Sequence, residues 1–417
     1  MNETIRAEII SIGYELLTGM TVNTNAAYIG EKLTELGYEV CWISTVGDDD
    51  TEIMHALKQA CDRACLVVLT GGLGPTHDDI TKEVVSRFFE SKIIFHPDVL
   101  AQIRKRFRMW GRTVSETNRQ QAMVPEKAEI LENTVGTAPG FLFEKESRLF
   151  FVLPGIPTEM REMMEISVIP RLLKRKKEIV LRSKLLPTTG ISESELYDRV
   201  RDFLVHFPNV KLAFLPQATG VVMRLTVKAA SAVQCDEMLE KGAAFLKKKA
   251  GRFIYGEGNT SLEKVVADLL FKNKCTVSVA ESCTGGLVSH KLTNVPGSSH
   301  YFNRGIVAYS NQAKMDILGV PENVIRDFGA VSSESAVAMA EGVRRISRTD
   351  IGLSVTGIAG PSGGTPEKPV GLVFIGYSDK ARSFSERHQF SQERLWNKKR
   401  SSAAALDLLR RVLLGYV

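Results

Sequence analysis

Short apolar runs alternate with stretches of helical spacing along the first 172 residues. Glu8–Ile12 reads as a buried strand, and Ile29, Leu33 and Leu36 mark one face of a helix that starts at Ala26 and ends at Gly37. Glu39–Thr45 is the next strand, Glu52–Ala64 the next helix, and Cys65–Thr70 (CLVVLT) a continuously apolar strand. A strand apolar at every position is expected in a parallel sheet covered on both faces. The alternation predicts a doubly wound α/β domain that takes in the strand Leu149–Leu153 and a helix after Pro157.

The pattern changes after the basic run Lys174–Lys177. The next elements are strand Glu178–Leu186, helix Ser192–Phe203, strands Val210–Phe214 and Val221–Ala229, and helix Ala232–Lys249, a small α+β unit. An α/β alternation then resumes with helix Leu262–Lys272 and strand Thr276–Ala280. The expected domains are 1–172, 178–252 and 258–417, with no internal repeat and no low-complexity tract. Two α/β domains, each a sheet between two helical layers, are thus joined by an α+β connector.

Composition narrows the class. A chain of 417 residues suits two or three domains, and 44% hydrophobic residues is enough for packed cores. No apolar run approaches the roughly 20 residues of a membrane span. The start, MNETIRAEIISIGYELL, has no basic n-region and no small-residue cleavage site, so a cytoplasmic protein is expected. The net charge of +6 is compatible with anionic small molecules and does not by itself point to nucleic acid. Cys41, Cys61, Cys65, Cys235, Cys275 and Cys283 form no zinc pattern. Cys61 and Cys65 share helical spacing without an answering Cys/His pair, and the six are expected to be buried free thiols.

In the first domain Thr70-Gly71-Gly72-Leu73-Gly74-Pro75-Thr76-His77-Asp78-Asp79 joins a buried strand to a helix from Ile80 to Phe89. Glycines let the backbone approach a ligand closely, and the helix start favours anions, so the loop is read as a phosphate cradle rather than only a tight turn. Its spacing matches neither the dinucleotide fingerprint nor the P-loop. Asp78 and Asp79 beside such a cradle suggest Mg²⁺ or Mn²⁺. Glu116–Gln121 concentrates polar groups without helical amphipathy. Pro154–Met160 reads equally as a site loop bearing Glu159 or as a rigid turn with Pro at a helix start.

In the third domain Glu281-Ser282-Cys283-Thr284-Gly285-Gly286-Leu287 turns a strand into a helix. Ser282 on that turn is expected to be exposed, and the N–H groups after it can form an oxyanion hole. No histidine is placed to serve as its base, but Lys314, in Tyr309-Ser310-Asn311-Gln312-Ala313-Lys314, is available for a Ser-Lys dyad if desolvated. A capping serine and a surface lysine fit the same spacing equally well. Gly357–Gly364 is a third glycine-rich loop, either lining a ligand site through Gly360 or merely flexible.

Together these stretches resemble the competence/damage-inducible CinA family over essentially the whole chain. EIISIGYELLTGMTVNTNA, TGGLGPTHDD, TNRQQAMVP, GTAPGF and PGIPTEM are similar to the molybdopterin-binding fold, TTGISESEL onward to a KH-like domain, and AESCTGG, VPGSS, YSNQAK, GAVS and GIAGPSGGTPEKPVG to nicotinamide mononucleotide (NMN) deamidase. The resemblance implies a cofactor-free C-terminal amidohydrolase with Ser282 as nucleophile, Lys314 as base and Tyr309 as a proton-relay helper. Thr284, Gly285 and Gly286 would sit at the oxyanion and nicotinamide end, with Ser298, Ser299, Gly360 and Arg394 as further NMN contacts. For the first domain it implies hydrolysis of ADP-ribose with Mg²⁺, Mn²⁺ or Co²⁺. Gly71, Gly72, Gly74 and Asn118 would hold substrate there, and Asp78, Asp79, Glu159 and Asp48 the metal. Tyr14 stands where the family usually has Thr, and His77 where Lys is common.

Two other functions compete with this pair of hydrolases. A molybdopterin adenylyltransferase-like first domain would use the same phosphate loop. A competence-related binding module would use the connector, but a nucleic-acid KH domain needs a GxxG clamp, and residues 178–252 contain none. The expected partners are small nucleotides and a second copy of the chain, without membrane or nucleic acid.

Overall fold

The computed structural model describes residues 5–175, 180–390 and 393–417. It forms two compact units, Met1–Ser183 with Thr226–Leu239, and Lys184–Leu225 with Glu240–Val417.

The first unit contains β1 (Arg6–Ile12), β2 (Glu39–Val46), β3 (Leu66–Thr70), β4 (Ile93–Phe95), β5 (Met123–Pro125), β6 (Glu129–Leu131), β7 (Gly140–Lys145) and β8 (Arg148–Leu153). Its main sheet has the order β2-β1-β3-β8-β7-β6, and β4 pairs with β5. Odd and even positions of the central strands face different helices. Ile10, Val67, Leu69 and Phe150 pack with Ile53 and Leu57 of helix Asp50–Arg63 and with Val84 of helix Thr81–Phe88. Ile9, Leu66, Val68 and Phe151 pack with Ile29 and Leu33 of helix Thr24–Glu35 and with Met160 of helix Pro157–Met163. Each such burial contributes roughly 1.5–3 kcal/mol, and two covered faces make three layers.

The sheet is mixed rather than wholly parallel. β1, β2, β3 and β8 run parallel, whereas β7 and β6 add antiparallel. Glu146 and Ser147, at φ 51° and 66°, close the β7–β8 hairpin, the left-handed pair that suits strand twist. Cys65 lies beyond the helix that carries Cys61, because that helix stops at Arg63. All six cysteines are free, but only Cys235 and Cys283 are buried and Cys41 and Cys65 are exposed, so the expectation of uniformly buried thiols is corrected.

The connector strands are β9 (Val180–Pro187), β10 (Val210–Gln217) and β11 (Gly220–Ala229), in the order β10-β11-β9. The division between the units falls inside β9 and β11. Lys176, Lys177 and Glu178, which were read as part of the boundary and the start of this strand, lie outside the described residues.

The second unit carries β12 (Val277–Glu281), β13 (Phe302–Val307), β14 (Ile351–Gly357), β15 (Leu372–Ser378) and β16 (Ser383–Gln389), in the order β13-β12-β14-β15-β16. β12 is parallel to β13 and β14, and β15 and β16 are antiparallel. Val277, Val279, Leu353 and Ile375 pack with helices Leu262–Asn273 and Arg394–Leu413. The other face is lined by small residues. A side chain on Gly352 would collide with the Ala340 carbonyl and one on Gly376 with that of Ala336, so helix Ser333–Ser347 lies close against the sheet. Among the described residues no helix is long and apolar enough to cross a membrane.

Candidate active site

Ser282 follows β12 directly, and Lys314 lies on helix Asn311–Leu318, which follows β13. The Ala308 N–H donates to the Glu281 carbonyl at 2.9 Å, tying the ends of the two strands together. The helix after β12 packs on one face of the sheet through Val288 and Leu292, and the helix after β13 on the other through Leu318. Adjacent parallel strands whose connections leave to opposite faces open a crevice at their carboxyl ends.

Lys314 Nζ lies 3.1 Å from Ser282 Oγ, 3.0 Å from the Ala308 carbonyl and 3.1 Å from the Tyr309 carbonyl. The lysine is 1% exposed and forms no ion pair among the described residues. Burial holds its amine below the ordinary lysine value. A neutral amine has two N–H donors for the two carbonyls and one lone pair, which then faces the serine hydroxyl. That is the arrangement a base needs, and it removes the surface-lysine alternative. Cys283 is buried, and its thiol is pushed up to about 12 by desolvation, so it carries little thiolate at neutral pH.

The turn's amides divide clearly. Ser282 N–H donates to the Val355 carbonyl at 2.9 Å, and Gly285 N–H to the Ser282 carbonyl at 3.1 Å. Gly286 N–H donates to Glu281 Oε2 at 3.0 Å. The amides of Gly285 and Gly286 are therefore engaged and are not free to donate to an oxyanion. Within Ser282–Gly286, the N–H groups of Cys283 and Thr284 are the two without an acceptor among the described residues. Thr284 is fully buried, and its hydroxyl also has no partner there.

Tyr309 meets Lys314 only through its carbonyl. The residue is 60% exposed, and its hydroxyl accepts from Arg394 at 3.2 Å rather than reaching Ser282. Arg394 also donates to the Gly360 carbonyl at 2.8 Å, so Tyr309, Gly360 and Arg394 are brought together. Ser298 and Ser299 sit in the 3₁₀ turn before β13, with no hydrogen bond to this group among the described residues. A cleft of about 930 Å³, lined by Arg252, Glu386, His388 and Arg400 among others, lies elsewhere in the unit and includes neither Ser282 nor Lys314.

In the first unit Gly71 and Gly72 adopt φ of 116° and 64°. A side chain on Gly71 would strike the Ile12 carbonyl, and one on Gly72 the Thr81 side chain. Asn25 Nδ2 donates to the Gly155 carbonyl at 2.7 Å and to Thr70 Oγ1 at 3.1 Å. Among the described residues the hydroxyls of Ser11 and Thr81 and the carbonyl oxygen of Asn25 are buried without a partner, which suits a polar ligand under the loop.

The residues named for a metal do not assemble. Asp79 accepts from the N–H of Thr76 at 2.9 Å and from its hydroxyl, and Asp48 accepts from Tyr14 N–H at 3.0 Å. Glu159 is buried against Asn133 at 2.6 Å, burial raises its carboxyl above the usual range, and Asp78 is exposed. No group of three or more His, Cys, Asp or Glu side chains among the described residues is arranged to hold a metal ion. Asn118 instead completes a capping box with Ser115, its Oδ1 accepting from the serine hydroxyl at 2.6 Å.

Three family models match the chain in order: "Probable molybdopterin binding domain" over residues 8–174, "Damage-inducible protein CinA KH domain" over 183–256 and "CinA C-terminal domain" over 259–413. A CinA-like protein of Dictyoglomus thermophilum is 43% identical over 411 residues, covering 99% of this chain and 100% of the relative. The chain belongs to the CinA family. A CinA-like protein of Kosmotoga olearia is 42% identical over 413 residues, covering 99% of this chain and 100% of its own. A crystal structure of a CinA protein from Thermoplasma acidophilum is 36% identical, covers 40% of this chain and 98% of its own, and has a TM-score of 0.38.

Within the CinA C-terminal domain, sequence reasoning overlooked Glu281 and Lys398. Glu281 is a charge ending an apolar strand, VSVAE, and that break in the pattern was its signal. Lys398 stands four residues after Arg394 on one helix, and its Nζ is 3.4 Å from where a Gly285 side chain would begin. It forms no ion pair among the described residues. In the molybdopterin-binding-like domain Asn25 was overlooked, and the run Thr24-Asn25 was its signal.

Proposed function

We propose that the C-terminal domain is an amidohydrolase that converts NMN to nicotinate mononucleotide and ammonia. The observation that supports this reading best is the buried Lys314 amine, in no ion pair among the described residues, 3.1 Å from Ser282 Oγ. Lys314 takes the proton as Ser282 Oγ attacks the carboxamide carbon. The oxyanion that forms is met by the unclaimed N–H groups of Cys283 and Thr284. Lys314 returns the proton to the leaving nitrogen, and ammonia departs. Water then adds to the acyl-serine with Lys314 again as base, which frees the carboxylate and restores the hydroxyl. Arg394 and Lys398 supply positive charge for the phosphate of NMN. No metal is called for in this sequence of steps.

For the first domain the proposal is narrower. The Gly71–Gly74 loop and the unpartnered hydroxyls near it favour a phosphate-bearing ligand, of which ADP-ribose is the one the family resemblance implies. The four carboxylates do not fit a divalent cation as they stand, so no hydrolytic step is derived through one. A cytoplasmic, homodimeric protein belongs to the same proposal.

The test is ammonia release from NMN by the purified full chain, with and without chelator. Release that survives chelation, is lost in Ser282→Ala and persists in Cys283→Ala is the expected result. Loss in Cys283→Ala with retention in Ser282→Ala would assign the nucleophile to the thiol.

A further inference from the structure

A carboxylate buried without a counter-ion is costly unless every lone pair finds a donor. Glu281 is fully buried, and no cation pairs with it among the described residues. It is satisfied entirely by the turn that follows Ser282. Oε2 accepts from Gly286 N–H at 3.0 Å and Val288 N–H at 3.1 Å. Oε1 accepts from Ser289 N–H at 2.8 Å and Ser289 Oγ at 2.7 Å. These charge-assisted bonds join the residue before the serine to the residues four to seven places after it.

The consequence is geometric. With Gly286, Val288 and Ser289 held from below, and Gly285 N–H turned back onto the Ser282 carbonyl, the chain between must arch over the carboxylate. Gly285 and Gly286, at φ of 62° and 94°, permit that arch. The residues at its crest are Cys283 and Thr284, whose N–H groups are left without acceptors. We propose that Glu281 is a positioning residue of the Ser282 site, drawing the turn inward so that the amides of Cys283 and Thr284 face the reacting carbonyl. This rests on the reading of Ser282 as an acyl-accepting nucleophile, but not on NMN being the substrate.

Glu281→Gln keeps shape and removes charge. Whichever way the amide turns, its NH₂ meets at least one backbone N–H, because each oxygen accepts from at least one. The turn should then loosen while the substrate pocket remains. Two measurements on the full chain test this: kcat and KM for NMN, and the rate at which a fluorophosphonate labels Ser282, followed by mass spectrometry. Glu281→Gln should lower kcat and the labelling rate together by at least about tenfold, with KM within about threefold and unchanged circular dichroism. A general structural loss would instead raise KM and lower the folded fraction. If the wild-type chain labels at Ser282 but does not turn over NMN, the substrate reading fails, and the labelling of Glu281→Gln still decides this inference. Wild-type labelling of Glu281→Gln, or no labelling of the wild type itself, overturns it. If Glu281→Gln does not fold, Ser289→Ala replaces it. Removal of that one hydroxyl should slow labelling at least threefold, and an unchanged rate overturns the inference.

Discussion

Each unit places a glycine-rich turn at the carboxyl end of a central strand, where neighbouring connections leave to opposite faces of the sheet. The turns differ in what lies beneath them. Under Ser282–Gly286 are two buried ionisable groups, the Glu281 carboxylate and the Lys314 amine, neither in an ion pair among the described residues. Under Gly71–Gly74 lie neutral groups, the hydroxyls of Ser11, Thr70 and Thr81 and the amide of Asn25. Among the carboxylates of that unit, Glu8 is fully buried in an ion pair with Arg63, Glu159 is buried against Asn133, Asp48 and Asp79 accept from nearby chain N–H groups, and Asp78 is exposed. A buried ionisable group has a cost that packing alone does not repay, so the first arrangement supports the proposed proton transfer and the second the proposed holding of a ligand. The glycine pattern alone does not separate them.

The contrast is broken most directly at the dyad. Ser282→Ala or Lys314→Ala should reduce ammonia release from NMN by ~10³-fold or more, since neither group substitutes for the other. Binding of ADP-ribose to the first unit, measured by calorimetry, should be unaffected. A dyad variant that retains a tenth of the activity would put the chemistry elsewhere.

The second measurement is pH dependence. The proposed base is the neutral form of Lys314, whose fraction rises as pH passes upward through its lowered pKa. The rate of ammonia release should therefore fall about tenfold per unit on the acid limb, with its midpoint below the ordinary lysine value of about 10.4. Stability carries the same sign. Between the lowered pKa and the ordinary one the unfolded chain binds more protons, so folding gains stability as pH rises through that window. Lys314→Met should lack that slope in a series of denaturant titrations. A midpoint at the ordinary value would mean that the amine is solvated.

A smaller effect is expected at the neutral turn. Gly72→Ala places a side chain at φ 64° against Thr81. It should destabilise the first unit by ~1–3 kcal/mol and weaken ADP-ribose binding, with ammonia release unchanged. Equal loss of both activities would show that the two turns are coupled.

The layers were legible because odd and even positions such as Ile9 and Ile10 are both apolar, and such strands are covered on both faces. The β7–β8 hairpin was not, since Glu146-Ser147 is not a usual left-handed turn pair. Ser282 was legible as a residue type on a turn after a strand, and Lys314 as a lysine on the helix that follows the neighbouring strand. The separation of Tyr309's ring from the dyad was not, because it depends on how the Arg394 helix returns to β13, a contact across 85 residues. Glu281 escaped notice because a charge at a strand end usually marks the surface. The capping role of Asn118 was not legible, because a capping asparagine and a ligand-binding asparagine are the same residue in the same polar run.

Glu159 offers the finest discrimination between the two turns. It is a buried carboxylate in the unit whose turn otherwise lies over neutral groups, and Asn133 Nδ2 donates to it at 2.6 Å. Burial raises its carboxyl above the ordinary value, so the protonated form is favoured in the folded state. The sign follows from linkage: stability is fully present below the ordinary carboxyl pKa and is lost as pH rises from there through the raised one. Above the ordinary carboxyl pKa the group is therefore a net cost to folding. Glu159→Gln keeps an oxygen for Asn133 and removes the charge. It should raise the Tm by roughly 2 °C at pH 7 and by less at pH 4, where the wild-type carboxyl is already protonated. The same neutralisation at Glu281 should do the opposite and lower the Tm, because that carboxylate is held by four donors that an amide cannot all satisfy. If both glutamines shift the Tm in the same direction, the distinction drawn between the two buried carboxylates is lost.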